Sequence, residues 1–294
     1  MNTILKTIIP LSALMIFSGC RYSFDINDSG LEPRICVMSY ICSGEESGIE
    51  VYKTVPVYET GNADMTLVSP SYSLKCNGEE VEMTSAAAPN DGLMLHSPAF
   101  KAGDILELTV GAEGLETVTA RTTVPEDFPE FTQTYGFDED GNRRIVIEYK
   151  KEDDEYYGAN VEYRIENKNG FVYEGFAFPI EGYDEISIDN NAYSPIVTYI
   201  NGKHIFVWND EAEGRYEIKF RDNTVSKGVR KYRLHLYRLS EEMYRKLNAE
   251  YDADSNPFAG LGFSAPSFTY SNVDNGTGWF CAYSTVAVSD WMIE

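Results

Sequence analysis

From Pro33 onward, short apolar stretches alternate with turn residues at intervals of roughly 8–12 positions, the rhythm of an antiparallel β protein. Ile35–Cys42 is a mostly apolar run, and over Glu50–Tyr58 the residues Val51, Val55 and Val57 alternate with others. Tyr72–Cys76 runs into Asn77-Gly78, a hairpin signal, and then into Glu80–Met83. Phe100–Asp104 is a turn ahead of Ile105–Val110, where Ile105, Leu106, Leu108 and Val110 suit a strand packed on one face. Gly111–Gly114 turns into Thr117–Val124, and Pro125 closes the unit. Strands this short and this closely spaced over residues 32–125 predict an immunoglobulin-like β-sandwich.

The stretch Pro125–Glu130 is an acidic joint bracketed by prolines, and a second β-rich unit over 126–294 is expected beyond it. Phe131–Phe137 and Arg144–Tyr149 flank the turn residues Asp138–Asn142. Tyr157–Asn167 and Phe171–Pro179 flank Lys168-Asn169-Gly170, and Ile196–Ile200 and His204–Trp208 flank Asn201-Gly202. In Arg215–Arg221 the residues Tyr216, Ile218 and Phe220 share a face, as do Tyr232, Leu234 and Leu236 in Tyr232–Leu239. Paired hairpins of this kind predict an antiparallel sandwich or an open barrel. One helix is expected. Ser240 is its N-cap, Glu241 and Glu242 fill the first turn, and Met243, Leu247 and Tyr251 form an apolar line that ends near Asp252. Asn256-Pro257 stops it, Phe258–Ser271 is irregular, and Gly278–Ser289 reads as a final strand. The fold class is therefore all-β, with an immunoglobulin-like sandwich, a larger sandwich or open barrel, and one short helix.

The N-terminus has a different character. Lys6 precedes an uncharged apolar run, Ile8–Phe17, and Ser18-Gly19-Cys20 follows. That is the three-part layout of a secretory signal peptide. The run is about half the ~20 residues that a spanning helix needs. Small residues directly before a cysteine resemble the bacterial lipobox, which implies removal of residues 1–19 and acylation of Cys20. More than one acyl chain on a single residue gives stable membrane anchoring. Residues 20–31 then read as a polar tether.

Composition narrows the function classes. Apolar residues make up 43% of the chain, ample for a core, and 21 tyrosines with 15 phenylalanines favour strands. The formal charge is −23, and loss of the leader removes one lysine and no acid, giving −24. Such a balance argues against nucleic acid and against adsorption on anionic lipid. Besides Cys20 there are four cysteines. Cys36 and Cys42 would lie about 20 Å apart along one strand, beyond the ~7 Å limit for a bridge. A Cys42–Cys76 bridge and four separate buried thiols, Cys281 included, are both compatible with the sequence.

No catalytic template fits. His96, His204 and His235 stand at no metal-ligand spacing. Gly262–Pro266 lacks the last glycine of a nucleophile elbow, and Gly260-x-Gly262-x-x-Ala265 neither follows a strand nor opens a helix. Asp252-x-Asp254-x-Asn256 copies the start of a calcium loop, but Pro257 and Phe263 occupy its essential glycine and glutamate positions. The acidic runs Asp138–Asp140 and Glu152–Glu155 read as solvated loops. Asn272–Ser284, with Gly276 and Gly278 beside Trp279, Phe280 and Tyr283, reads as a core-packed turn and strand; an aromatic recognition platform is the alternative. No catalytic residue, metal or cofactor is expected, and the ligand is open.

The C-terminal third resembles a Bacteroidetes outer-membrane lipoprotein family, domain of unknown function 4249. The marks are the helix from Ser240, then Asn256-Pro257-Phe258, then Ser271-Asn272-Val273 and the run Asn275-Gly276-x-Gly278-x-Phe280-x-Ala282-Tyr283-Ser284. Gly103–Val110 and Pro125 match an earlier family segment and joint, while Gly278-Trp279-Phe280-Cys281 stands where the family commonly has Gly-Ile-Phe-Gly. The resemblance implies a lipoprotein encoded near a TonB-dependent outer-membrane transporter, and carries over no catalytic residue. With the lipid anchor, two β-rich domains and no catalytic constellation, the leading expectation is a non-catalytic outer-membrane accessory that binds such a transporter or its nutrient ligand, facing the cell surface, with the periplasmic face as the alternative. A surface adhesin and a glycan or peptide hydrolase are the competing expectations.

Overall fold

The computed structural model describes residues 32–55, 64–88, 92–152, 155–179, 196–200, 203–209, 214–221, 227–255 and 270–294. The strands before the proline joint are β1 (Ile35–Cys42), β2 (Ser47–Lys53), β3 (Ser71–Cys76), β4 (Glu79–Val81), β5 (Thr84–Ala87), β6 (Leu93–Ser97), β7 (Ile105–Gly111) and β8 (Val118–Thr123). After it come β9 (Phe131–Phe137), β10 (Arg143–Tyr149), β11 (Tyr156–Asn167), β12 (Val172–Phe176), β13 (Phe178–Pro179), β14 (Ile196–Ile200), β15 (Lys203–Asn209), β16 (Arg215–Arg221) and β17 (Gly228–Leu239). Helix α1 (Glu241–Ser255) follows, then β18 (Val273–Asp274), β19 (Thr277–Tyr283), β20 (Ala287–Val288) and β21 (Met292–Ile293).

These strands form three sheets, none of them closed, so the open-barrel variant gives way to sandwiches. The largest sheet has the order β14-β15-β11-β17-β19-β1-β2-β6-β5, with β12 on β11 and both β20 and β21 on β17. A five-stranded sheet, β18-β8-β7-β3-β4, and a four-stranded one, β13-β16-β10-β9, complete the set. Period-two burial explains the layering. In β8, Val118, Ala120 and Thr122 are buried and their neighbours exposed. In β1, Ile35, Val37, Ser39 and Ile41 are buried on the same face.

Two main cores result. The first joins Ile35, Val37, Ile41, Ile49 and Leu95 to Leu74, Leu106, Leu108 and Val110. The second joins Ile145, Ile147, Tyr216, Ile218 and Phe220 to Tyr157, Val161, Phe206, Trp208, Tyr232, Leu234 and Leu236. A third cluster lies where α1 covers the largest sheet, with Met243 and Leu247 packed on Ile205, Val207, Tyr237, Leu239 and Cys281.

The joint at Pro125–Glu130 separates Val124, in the first core, from Phe128, in the second. The chain nevertheless crosses back: Val273, Phe280 and Ala282 complete the first core. Strand β18 pairs with β8, and β19 lies parallel to β1 from Cys36↔Thr277 to Cys42↔Tyr283. A boundary drawn in sequence at residue 125 therefore leaves out strands that the first sandwich takes from the far end. Pro33–Glu294 forms one compact unit. The single final strand expected over Gly278–Ser289 is broken, because residues after Tyr283 leave β1 and pair with β17 instead.

Candidate functional site

The C-terminal motif is a seam. Asn272 donates through Nδ2 to the carbonyls of Phe280 (2.9 Å) and Arg121 (3.1 Å), and accepts the Phe280 N–H on Oδ1 at 2.9 Å. One side chain thus ties β19 to the end of β8. Asn275, with φ +61°, turns the chain from β18 in the five-stranded sheet to β19 in the largest. Gly276 and Gly278 admit β1 at close range: a methyl on Gly276 would lie 2.6 Å from the Ile35 oxygen, and one on Gly278 1.9 Å from that of Val37. Ser240 accepts the N–H groups of Met243 and Ala282, both at 3.2 Å, so the helix cap also fastens the seam. Ser284 accepts the Arg238 N–H at 2.9 Å. Phe280 is fully buried, Trp279 lies under α1 and Tyr283 packs edge-on against Tyr237, so these rings are spent in packing rather than on an open recognition platform.

Beneath α1 sits a cation that the sequence gives little sign of. Lys246 is 4% exposed and donates to Tyr40 and to Glu250 Oε1 (2.6 Å), with its ammonium 4.6 Å from the centre of the Trp279 ring. An ammonium between two aromatic faces and a carboxylate is compensated for its desolvation. Burial pushes the Cys281 thiol far above its ordinary range, so it stays protonated. All four described cysteines are free: Cys42 and Cys281 are buried and Cys36 and Cys76 partly so, and no Cys42–Cys76 bridge forms.

Another polar cluster lies on the sheet face away from the second core. Cross-strand partners Glu162 and Arg233 bond at 2.5 Å, and Glu162 Oε2 also meets His235 Nε2 at 2.6 Å. Arg233 stacks over Trp291 at 4.5 Å, and Phe176 sets its edge against His235. Burial pushes the Glu162 carboxyl up, but hydrogen bonds from Arg233 and His235 outweigh it and hold the group below its ordinary value. The ionised carboxylate accepts, which places a His235 proton on Nε2. Among the described residues the ring's side-chain hydrogen bond is to Glu162, and no serine, threonine or cysteine bonds to it.

The remaining candidates resolve similarly. Asp138 caps its own hairpin: Oδ1 accepts from Asp140 N (3.0 Å) and Asn142 N (2.8 Å), and Lys219 lies 3.2 Å away. Glu152 and Glu155 pair with the buried Arg238 at 2.7 and 3.5 Å. A cleft of about 490 Å³ at the start of α1 brings Glu155, Glu241 and Glu242 near Tyr156 and Thr123. Its carboxylates are engaged: Glu241 with Arg245 at 2.5 Å, Glu242 with Thr122 at 3.0 Å, and Glu155 with Arg238. His96 is exposed on β6, and the three histidines sit on separate strands, β6, β15 and β17. Among the described residues, no three His, Cys, Asp or Glu side chains converge as metal ligands. Asp252 and Asp254 fall in the last part of α1. Cys20, Asn256 and the glycines at 260 and 262 lie outside the described residues.

A two-core β-sandwich protein, with its most distinctive motif given to joining strands, is the class that this architecture defines. The sequence matches the family described as Domain of unknown function (DUF4249) over residues 21–288, and the chain belongs to it. No curated protein matches it. Among solved structures, a DUF4785 family protein of Legionella pneumophila is similar at 8% identity, over 72% of this chain, with a TM-score of 0.25. The chain spans about half of that structure's length, 53%, and a likeness at this level carries no argument.

Proposed function

We propose that this chain is a bacterial outer-membrane lipoprotein of the Bacteroidetes type, cut before Cys20 and acylated there, that serves as a non-catalytic accessory to a TonB-dependent nutrient transporter. The observation that carries the reading is the leader: Lys6, the apolar run Ile8–Phe17, then Ser18-Gly19-Cys20. The strong negative charge suits an exposed extracytoplasmic surface and keeps the protein from adsorbing on anionic head groups. The carboxylates of the cleft and the His235–Glu162 pair are held in structural bonds, which supports a binding role over a hydrolytic one. Metabolic labelling with palmitate, native chain against Cys20→Ala, tests the anchor: label should disappear with the cysteine. Gentle-detergent purification of the tagged protein from its own outer membrane tests the accessory role. A single co-purifying TonB-dependent transporter is the expected outcome. Recovery of the protein alone would overturn that role while leaving the anchor intact.

A further inference from the structure

The strands that end the sheets are unequal. β4 carries Glu79 and Glu80, β5 has four residues, β13 and β18 have two each, and β14, five uncharged residues at the end of the largest sheet, lies against α1. β9 has seven residues, Phe131–Phe137, with no charge and no proline. It pairs with β10 along its whole length, from Tyr149↔Phe131 to Arg143↔Phe137, and ends its sheet. Natural edge strands of this length are ordinarily blunted by charges, bulges or proline, because the open backbone recruits another strand.

The hydrogen-bond pattern says which groups are open. Asp138 N–H bonds back to Asn142 O at 2.9 Å, so alternate residues Thr132, Thr134 and Gly136 direct their backbone groups at β10. Tyr149 N–H, opposite Phe131, turns away from β9 to Gly214 O at 2.9 Å, as this alternation requires. The N–H and C=O groups of Phe131, Gln133, Tyr135 and Phe137 therefore point outward, and none of these residues bonds to another strand among the described residues. Phe131 and Tyr135 pack on the second core, which makes the strand a rigid template, and Phe137 is 48% exposed at its end.

Charge selects the occupant. Glu130 is exposed before the strand, and Asp138, Glu139 and Asp140 follow it, with Glu139 and Asp140 exposed. In an antiparallel pair of two copies, Phe131 would face Phe137 of the other chain and Glu130 would come up against the exposed Glu139 and Asp140 of its turn, Asp138 being taken up by Lys219 and the turn itself; an in-register parallel pair also sets acids together. Self-pairing is thus opposed at both ends by like charges. From this we infer that β9 is a docking edge for an extended segment of a different protein, one with about seven uncharged residues between basic flanks. The segment adds a fifth strand to the four-stranded sheet: backbone bonds supply affinity and the acidic ends fix sign and register. This edge does not depend on the lipid anchor or on the transporter reading.

The test uses the full mature chain and two fluorescein-labelled peptides with the same core, Thr-Val-Thr-Val-Thr-Val-Thr, flanked by Lys-Lys or by Glu-Glu at both ends. The Lys-flanked peptide should bind at least ~10-fold tighter by anisotropy, with the gap narrowing as salt rises. Binding should slow amide exchange at Phe131, Gln133, Tyr135 and Phe137. Gln133→Pro removes one outward N–H and no bond to β10, so it should abolish binding while leaving the melting curve nearly unchanged. Glu130→Lys combined with Glu139→Lys should reverse the peptide preference. Equal affinity for both peptides, protection at another edge, survival of binding in Gln133→Pro, or dimerisation of the chain through β9 would each overturn the inference.

Discussion

At Gly278 a single hydrogen atom in place of a side chain decides whether two strands can meet. Its φ of +106° is strained for an L side chain, and a methyl would stand 1.9 Å from the Val37 oxygen. Gly278→Ala should therefore cost about 3 kcal/mol or more in urea unfolding, well above the usual surface substitution. A loss below ~1 kcal/mol would mean the seam is looser than the geometry requires. Asp138 offers a pH test. Burial pushes its carboxyl up, but hydrogen bonds from Asn142 and the Lys219 ammonium outweigh this and hold it at about 2, against an ordinary 3.8. A depressed folded pKa gives stability that is present above pH ~4 and disappears as pH falls toward 2. Asp138→Asn should lose on the order of 1–2 kcal/mol at pH 6, and the difference from the native chain should shrink between pH 4 and pH 2. A difference independent of pH would assign the effect to shape rather than charge.

Among the elements, the apolar run from Ile35 to Cys42 and the segment from Phe131 to Phe137 ahead of its turn form strands with the bounds read from the sequence, and Asn77-Gly78 turns its hairpin with φ +54° and +85°. Helix α1 begins at Glu241 behind its Ser240 cap as expected. Strand β5 left no clear signal, because Thr84–Ala87 is exposed at every position and has no apolar alternation. The β18–β19 turn was visible as a glycine-rich, aromatic segment, but the partners of its strands were not: β18 pairs with β8 and β19 with β1, near the other end of the chain. Asn272→Ala removes the clamp between β19 and the end of β8 and leaves the Phe280 N–H without its acceptor. A loss of about 2–3 kcal/mol is expected. Hydrogen exchange should show the opening in β1, β8 and β19, and leave β10 and β16 protected. Uniform loosening of every strand would contradict a local clamp.

Over the whole molecule, both cores hang on one sheet that passes from β14 to β5 through β17, β19 and β1. That continuity predicts a single cooperative transition in calorimetry. Phe280→Ala, in the first core, should lower its midpoint with a loss of about 3–5 kcal/mol, and the fluorescence of Trp208, in the second core, should follow the same curve. Two separated transitions would show instead that the cores melt independently. The sequence by itself determined the class of this protein: strand period, turn residues, one capped helix, the acidic balance and the family motif all rest on neighbours within a few positions. The tertiary structure alone decided that residues 273–283 finish a sandwich begun at residue 35, that Lys246 is buried among rings, and that β9 is left at an edge. Each of those depends on which distant strands lie side by side, and alternation along a strand specifies a face but never the neighbour.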